Sequence, residues 1–234
     1  MITISPARLE KAVSCIAAEI SDRLFARPSP CVDERSLWAE MTCCVLSSQV
    51  PYDIAKAAAQ RINDAGVLWL VGPQCQSTLK TKLFELLSTP LHFGSGCRRY
   101  RFPNSRADQI ASGFCTVYDE FGSLSELLRR HDDPRRARAW MVAHISGVGP
   151  KQASMFLRNA GASYDLAVID RHVLRYMQVI KLCKKSESDV ATIYKYENRE
   201  MQLRHYAESV GYPMGLLDWA IWIVMRVASR IEQQ

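Results

Sequence analysis

Apolar residues recur three and four positions apart along almost the whole chain, and strictly alternating stretches are nearly absent. From Pro6 to Phe25 the series Leu9, Val13, Ile16, Ile20 and Leu24 forms one apolar stripe, which the Pro28–Pro30 segment ends. Ser36 is expected to cap a helix from Leu37 to about Ser47. Pro51 opens another through Ile54, Ala58 and Ile62 to Gly66, and a short one covers Thr78 to Leu87. Pro90 to Pro103, with Gly94, Gly96 and interspersed Arg and aromatic residues, reads as a functional loop. Asn104 or Ser105 caps a helix to Phe121, Ser123 starts one to Arg130, and Pro134 opens one to about Ile145. Two long helices, from about Asp189 to Val210 and from Pro213 to Ile231, complete an all-α chain.

Composition narrows the class. Apolar residues make up 48% of 234 positions, enough for a packed core and too many for a disordered chain. The longest apolar stretches, such as Trp219 to Val224, are too short to cross a bilayer, and Glu10, Glu19 and Asp22 interrupt any signal-like run near Met1. A soluble, intracellular protein is expected. The eight cysteines, Cys15, Cys31, Cys43, Cys44, Cys75, Cys97, Cys115 and Cys183, contain no C-x-x-C pair, so their spacing outlines neither a zinc framework nor an iron–sulfur cluster. They read as buried free thiols behaving as small apolar residues, in a reducing compartment.

A net charge of +6 permits a polyanionic partner, and its distribution says more. Arg98, Arg99, Arg101 and Arg106 form one cluster, Arg129, Arg130, Arg135, Arg136 and Arg138 a second, and Lys181, Lys184 and Lys185 a third. Any one alone reads first as a solvated helix face; three bracketing one motif shift that reading modestly toward a polyanion.

The chemistry lies between Ile145 and Arg175. Gly147 and Gly149 flank Val148 between two helical segments, either as a plain tight turn or as a hairpin whose uncovered N–H groups approach a phosphate. Pro150 suits the first helical position, so the positive end of the second helix points at whatever the hairpin holds. Lys151 follows, where that same end disfavours a protonated amine. The position suits a nucleophilic neutral amine, or else a simple phosphate contact. Asp170 comes after the apolar run Leu166 to Ile169 and directly before Arg171, His172, Val173 and Leu174. It is placed to cap the next helix and to stay charged there. Neither His144 nor His172 takes a catalytic role, and no context lowers the Cys43 or Cys44 thiols toward reactivity.

The run Gly-Val-Gly-x-Lys-x-Ala-Ser-x-Phe-Leu-Arg-Asn, followed by Ile-Asp-Arg-His-Val-Leu-Arg, resembles the helix-hairpin-helix DNA glycosylase superfamily. Within it the sequence is most similar to the 8-oxoguanine DNA glycosylase/lyases of the small archaeal-type branch. Weaker similarity touches Cys44 to Gln49, Tyr100 to Phe102, and Leu217 to Trp222.

The resemblance implies one glycosylase unit over 1–234, built as two helical lobes with the active site in the cleft between them. Lobe one covers about 35–130; lobe two covers about 1–34 plus 131–234, with the hairpin at 145–151. It further implies that Lys151 is the Schiff-base lysine and Asp170 the catalytic aspartate. Gly147, Val148, Gly149, Gln49 and Arg171 would touch DNA, with Gln49 filling the space left by the extruded nucleotide. Phe102, Trp222 and Asp218 would hold the flipped base. A monomer acting on duplex DNA with a damaged base is implied, at a nucleoid or in a nucleus, with no metal or redox cofactor. The sequence departs from the branch at its end. The chain continues through Arg226 and Arg230 to Gln234, where the branch has a base-reading lysine, and this leaves the preferred lesion open. Two alternatives stay open as well: a glycosylase for another modified base, and a hairpin module that binds DNA without chemistry.

Overall fold

A computed structural model describes residues 5–25, 33–68, 75–93, 96–187 and 189–231. The Pro28–Pro30 helix stop, Cys31, Gly94 and the residues after Ile231 lie outside the described residues, as does the Arg230 side chain. The chain is all-α apart from one short antiparallel ribbon. Among the described residues no helix is long and apolar enough to cross a membrane, and no disulfide forms. Cys43, Cys44 and Cys183 are buried as expected, whereas Cys15, Cys75 and Cys97 are exposed because they lie on helix ends, faces or a ribbon turned away from the core.

Two compact units emerge: 31–160, and 1–30 with 161–234. The boundary expected near residue 130 therefore lies at 160, and the hairpin belongs to the central unit. The reason is packing. The helix after the hairpin lies on the first helix of the central unit, where Asn159 Nδ2 donates to Glu40 Oε1 at 2.6 Å.

The central unit holds α2 (Glu34–Leu46), α3 (Tyr52–Asp64), α4 (Gln76–Ser88), β1 (Leu91–Phe93), β2 (Gly96–Arg98), α5 (Pro103–Phe121), α6 (Leu124–Arg130), α7 (Pro134–His144) and α8 (Pro150–Asn159). Several starts lie upstream of the sequence reading. Asp33, not Ser36, caps α2, its carboxylate accepting from Ser36 N at 2.7 Å. Helix α5 begins at Pro103 with Phe102 at its cap position, since proline at the first helical position sacrifices no N–H. Ser123 caps α6 as expected, and Glu34 adds a carboxylate that accepts from Leu124 N (2.7 Å) and Ser125 N (2.9 Å). The segment read as loop contains the ribbon, with Leu91 opposite Arg98. Arg61 secures its entry by donating to the carbonyls of Leu86, Thr89 and Pro90, closing the end of α4.

The other unit holds α1 (Pro6–Phe25), α9 (Arg171–Val179), a 3-10 turn (Lys185–Glu187), α10 (Ile193–Val210) and α11 (Met214–Ile231). Leu9, Val13, Ala17 and Ile20 of α1 bury the predicted stripe against Leu217, Ile221 and Met225 of α11 and Val173 and Met177 of α9. Helix α10 starts at Ile193 rather than Asp189, because Thr192 caps it.

Candidate active site

Helix α7 ends at His144, and the chain reverses through Ile145–Gly149 before α8 begins. Val148 N donates to Ile145 O at 3.1 Å, closing the turn, while the Ile145 and Val148 side chains are buried beneath it. Gly147 sits at φ +80°, the left-handed region that glycine enters without a Cβ clash. Gly149 does not use that freedom: it is extended, at φ −93° and ψ 179°, as the N-cap of α8. Pro150 occupies the first turn, as expected, and no side chain caps this end. The N–H groups of Lys151 and Gln152 thus lack an intrahelical acceptor and, with the helix dipole, favour an anion.

Lys151 is half-buried on the first turn of α8. Among the described residues no hydrogen bond or ion pair engages its ammonium. The helix beneath is anchored by buried Ala153, Ser154, Met155, Phe156 and Leu157, so its first turn has a fixed base. Gly147 is the third residue of this turn, a position whose positive φ favours glycine. A Cβ there would stand 2.5 Å from Gln109 Oε1, which a flexible side chain can relieve, but the positive φ cannot be relieved. Gly147→Ala is expected to destabilise the protein by about 1–3 kcal/mol, lowering Tm by several degrees, and to weaken DNA binding in a fluorescence titration.

In the other unit Asp170 is half-buried and caps α9, its Oδ1 accepting from His172 N at 2.8 Å and Val173 N at 3.0 Å. Among the described residues no strand pairs with the segment leading to it, and buried side chains satisfy its backbone instead. Glu200 Oε1 accepts from Ala167 N at 2.9 Å, and Asp218 Oδ2 accepts from Val168 N at 2.6 Å. Tyr196 Oη accepts from Ile169 N at 2.9 Å and donates to Ala167 O at 2.7 Å. Four hydrogen bonds to three consecutive residues hold the Asp170 backbone in place.

The family described as 8-oxoguanine DNA glycosylase matches residues 22–212, which include the hairpin, Lys151 and Asp170. The chain belongs to this family.

Its relatives agree. An 8-oxoguanine DNA glycosylase/AP lyase of Metallosphaera sedula is 32% identical over 193 residues, 81% of each chain. The 8-oxoguanine DNA glycosylase of Thermotoga maritima superposes with a TM-score of 0.69 at 28% identity, covering 93% of both chains. The Methanocaldococcus jannaschii glycosylase/lyase, in complex with a 15mer DNA containing 8-oxoguanine, gives 0.62 at 25% identity, covering 92% of this chain and 87% of that one.

Within this 8-oxoguanine DNA glycosylase family member the remaining expected residues fall as follows. Gln49 is exposed on the turn between α2 and α3 at φ +61°, a left-handed conformation that costs a glutamine on the order of 1 kcal/mol. Phe102 is half-buried in the central unit, with the guanidinium of Arg101 4.9 Å and that of Arg106 5.7 Å from its ring centroid. Trp222 is half-buried on α11, with Arg226 4.9 Å from its ring. Arg171 is exposed. Asp218 is buried to 1% exposure and spends a carboxylate oxygen on Val168 N, a backbone anchor that sequence reasoning had grouped with the base-binding residues.

The basic clusters are less uniform than the sequence suggests. Arg106 and Arg138 are buried, and Arg129 and Arg130 pair with Glu126. Arg98, Arg99, Arg101, Arg135, Arg136, Lys181, Lys184 and Lys185 stay exposed. Burial pushes the Cys43 thiol up to about 11 and Cys44 well above its ordinary value, so neither is a nucleophile. Burial also lowers the His172 pKa, opposed by Asp170 and helped by Arg171, Arg226 and Arg175.

Sequence reasoning missed the roles of Tyr196 and Glu200. A signal existed. Tyr196, Glu200, Leu203 and Ala207 form the buried face of α10, and a glutamate on an apolar stripe announces a buried partner.

Proposed function

We propose that this protein excises 8-oxoguanine from duplex DNA and then nicks the strand through a Schiff base on Lys151. One observation carries the reading. A lysine without a partner among the described residues stands on the first turn of a helix whose uncapped positive end adjoins a glycine hairpin, inside the region that the family matches.

The hairpin N–H groups and exposed arginines hold phosphates near the lesion, which makes affinity fall with salt. The damaged nucleotide leaves the stack, with Gln49 taking its place and Phe102 and Trp222 stacking on the base. Arg171 adds a backbone contact. Lys151 Nζ, as the neutral amine, forms a bond to C1′ while the bond from C1′ to the base nitrogen breaks and the base leaves with a proton. The Asp170 carboxylate stabilises the positive sugar and assists proton transfers to and from Nζ. The sugar ring opens to a protonated Schiff base. Loss of a C2′ proton then expels the 3′ phosphate by β-elimination. The protein works as a monomer in this scheme.

A panel of single-lesion duplexes tests the substrate. Excision of 8-oxoguanine is expected to exceed that of undamaged guanine, uracil and hypoxanthine by at least about 100-fold in single-turnover rate. Faster release of any other base would reassign the substrate, and binding without release of any base would leave a DNA-binding module.

A further inference from the structure

Arg106 was read as part of a basic surface, yet it is 9% exposed, and its Nε is buried without a hydrogen-bond partner. A phosphate-binding arginine would not be spent this way. Its two terminal nitrogens point to separate tasks. Nη2 donates to Ser48 O at 3.1 Å, the carbonyl immediately before Gln49. Nη1 donates to Gln109 Oε1 at 2.5 Å, and the end of the Gln109 side chain lies against Gly147, where an added Cβ would stand 2.5 Å from that oxygen. One buried guanidinium therefore bonds both the turn carrying Gln49 and the glutamine that packs against the hairpin. Tyr100 adds a second tie to the turn, its Oη donating to Leu46 O at 2.7 Å.

We propose that Arg106 and Gln109 are positioning residues, a strut that locks the Gln49 turn to the hairpin so that phosphate capture and filling of the vacated stack occur together. This rests on the glycosylase reading and deepens it. Gln49 holds a left-handed backbone that its own side chain disfavours, so something must keep it there. The planar fork of an arginine fixes two acceptors at once in a way that a lysine ammonium does not. The strut acts on extrusion and not on the bond-breaking step, so its loss should matter only when the lesion begins inside the stack.

The test uses Arg106→Met and Gln109→Leu, the second cutting the hairpin link while leaving the arginine in place, with Arg106→Lys beside them. Each is assayed on 8-oxoguanine paired with cytosine, on 8-oxoguanine opposite an abasic gap, and by borohydride trapping on a preformed abasic site. A 2-aminopurine beside the lesion reports unstacking. On the paired lesion we expect about tenfold slower excision and a smaller fluorescence rise. On the unpaired lesion and in trapping the change should stay within about twofold. Gln49→Ala added to Arg106→Met should cost no more than Arg106→Met alone. Arg106→Lys should restore at most part of the rate. Equal losses on all three substrates, no loss on the paired one, or additive effects of Gln49 and Arg106 overturn the strut while leaving the glycosylase intact. Wild-type protein that releases no base on any substrate overturns the underlying reading itself. If Arg106→Met fails to fold, Gln109→Leu decides by the same criteria.

Discussion

Lys151→Gln is expected to abolish the borohydride-trapped complex and to lower base release and strand nicking by at least about 1000-fold. Glutamine keeps a polar, hydrogen-bonding side chain one atom shorter but offers no basic amine, so no covalent bond to C1′ can form. Binding to lesion DNA should change by no more than about twofold, since the hairpin backbone and the arginines are untouched. Stability should hold or rise by a few tenths of a kcal/mol, roughly, because a cation leaves the positive end of α8. Trapping followed by denaturing electrophoresis reads the first effect, and a fluorescence titration the second. Undiminished trapping would remove Lys151 from the chemistry.

Asp170→Asn separates two roles that one carboxylate combines. Asparagine caps a helix about as well as aspartate, so α9 should keep its hydrogen bonds from His172 N and Val173 N and stability should stay within about 0.5 kcal/mol. The charge is lost. Single-turnover excision should fall by roughly 100-fold or more, because nothing then offsets the positive sugar. Asp170→Ala loses the cap as well and should cost about 1 kcal/mol of stability on top of the same rate defect. Thermal unfolding and excision assays on both variants distinguish the roles. An active Asp170→Asn protein beside a destabilised Asp170→Ala protein would make Asp170 a cap alone.

These substitutions concern residues whose spacing could be read without coordinates. A glycine at a left-handed turn, a proline at the first helical position and an acidic cap all act on N–H groups within three or four residues, so their signals are local. Hence the hairpin, Pro150 as the start of α8 and Asp170 as the cap of α9 were legible. Where two good caps compete within a turn the sequence alone ranks them badly, as Asp33 displacing Ser36 shows. Arg106 defeated the reading for the opposite reason. The arginines clustered with it in sequence, Arg98, Arg99 and Arg101, are exposed, while its acceptor Ser48 O lies 58 positions away on the turn before α3. The anchoring contact of Asp218 is equally non-local, since its partner Val168 lies 50 positions away.

What the amino-acid order determined on its own was the helical class, the hairpin followed by lysine, and the capping aspartate. Each depends on 3.6-residue periodicity or on groups within one turn. Tertiary structure alone decided which charged side chains turn inward. It sank Arg106, Arg138, Glu200 and Asp218 and left Lys151 half-exposed. Burying a charge is tolerated only where distant backbone or side-chain groups converge to solvate it, and that convergence is set by how the helices pack.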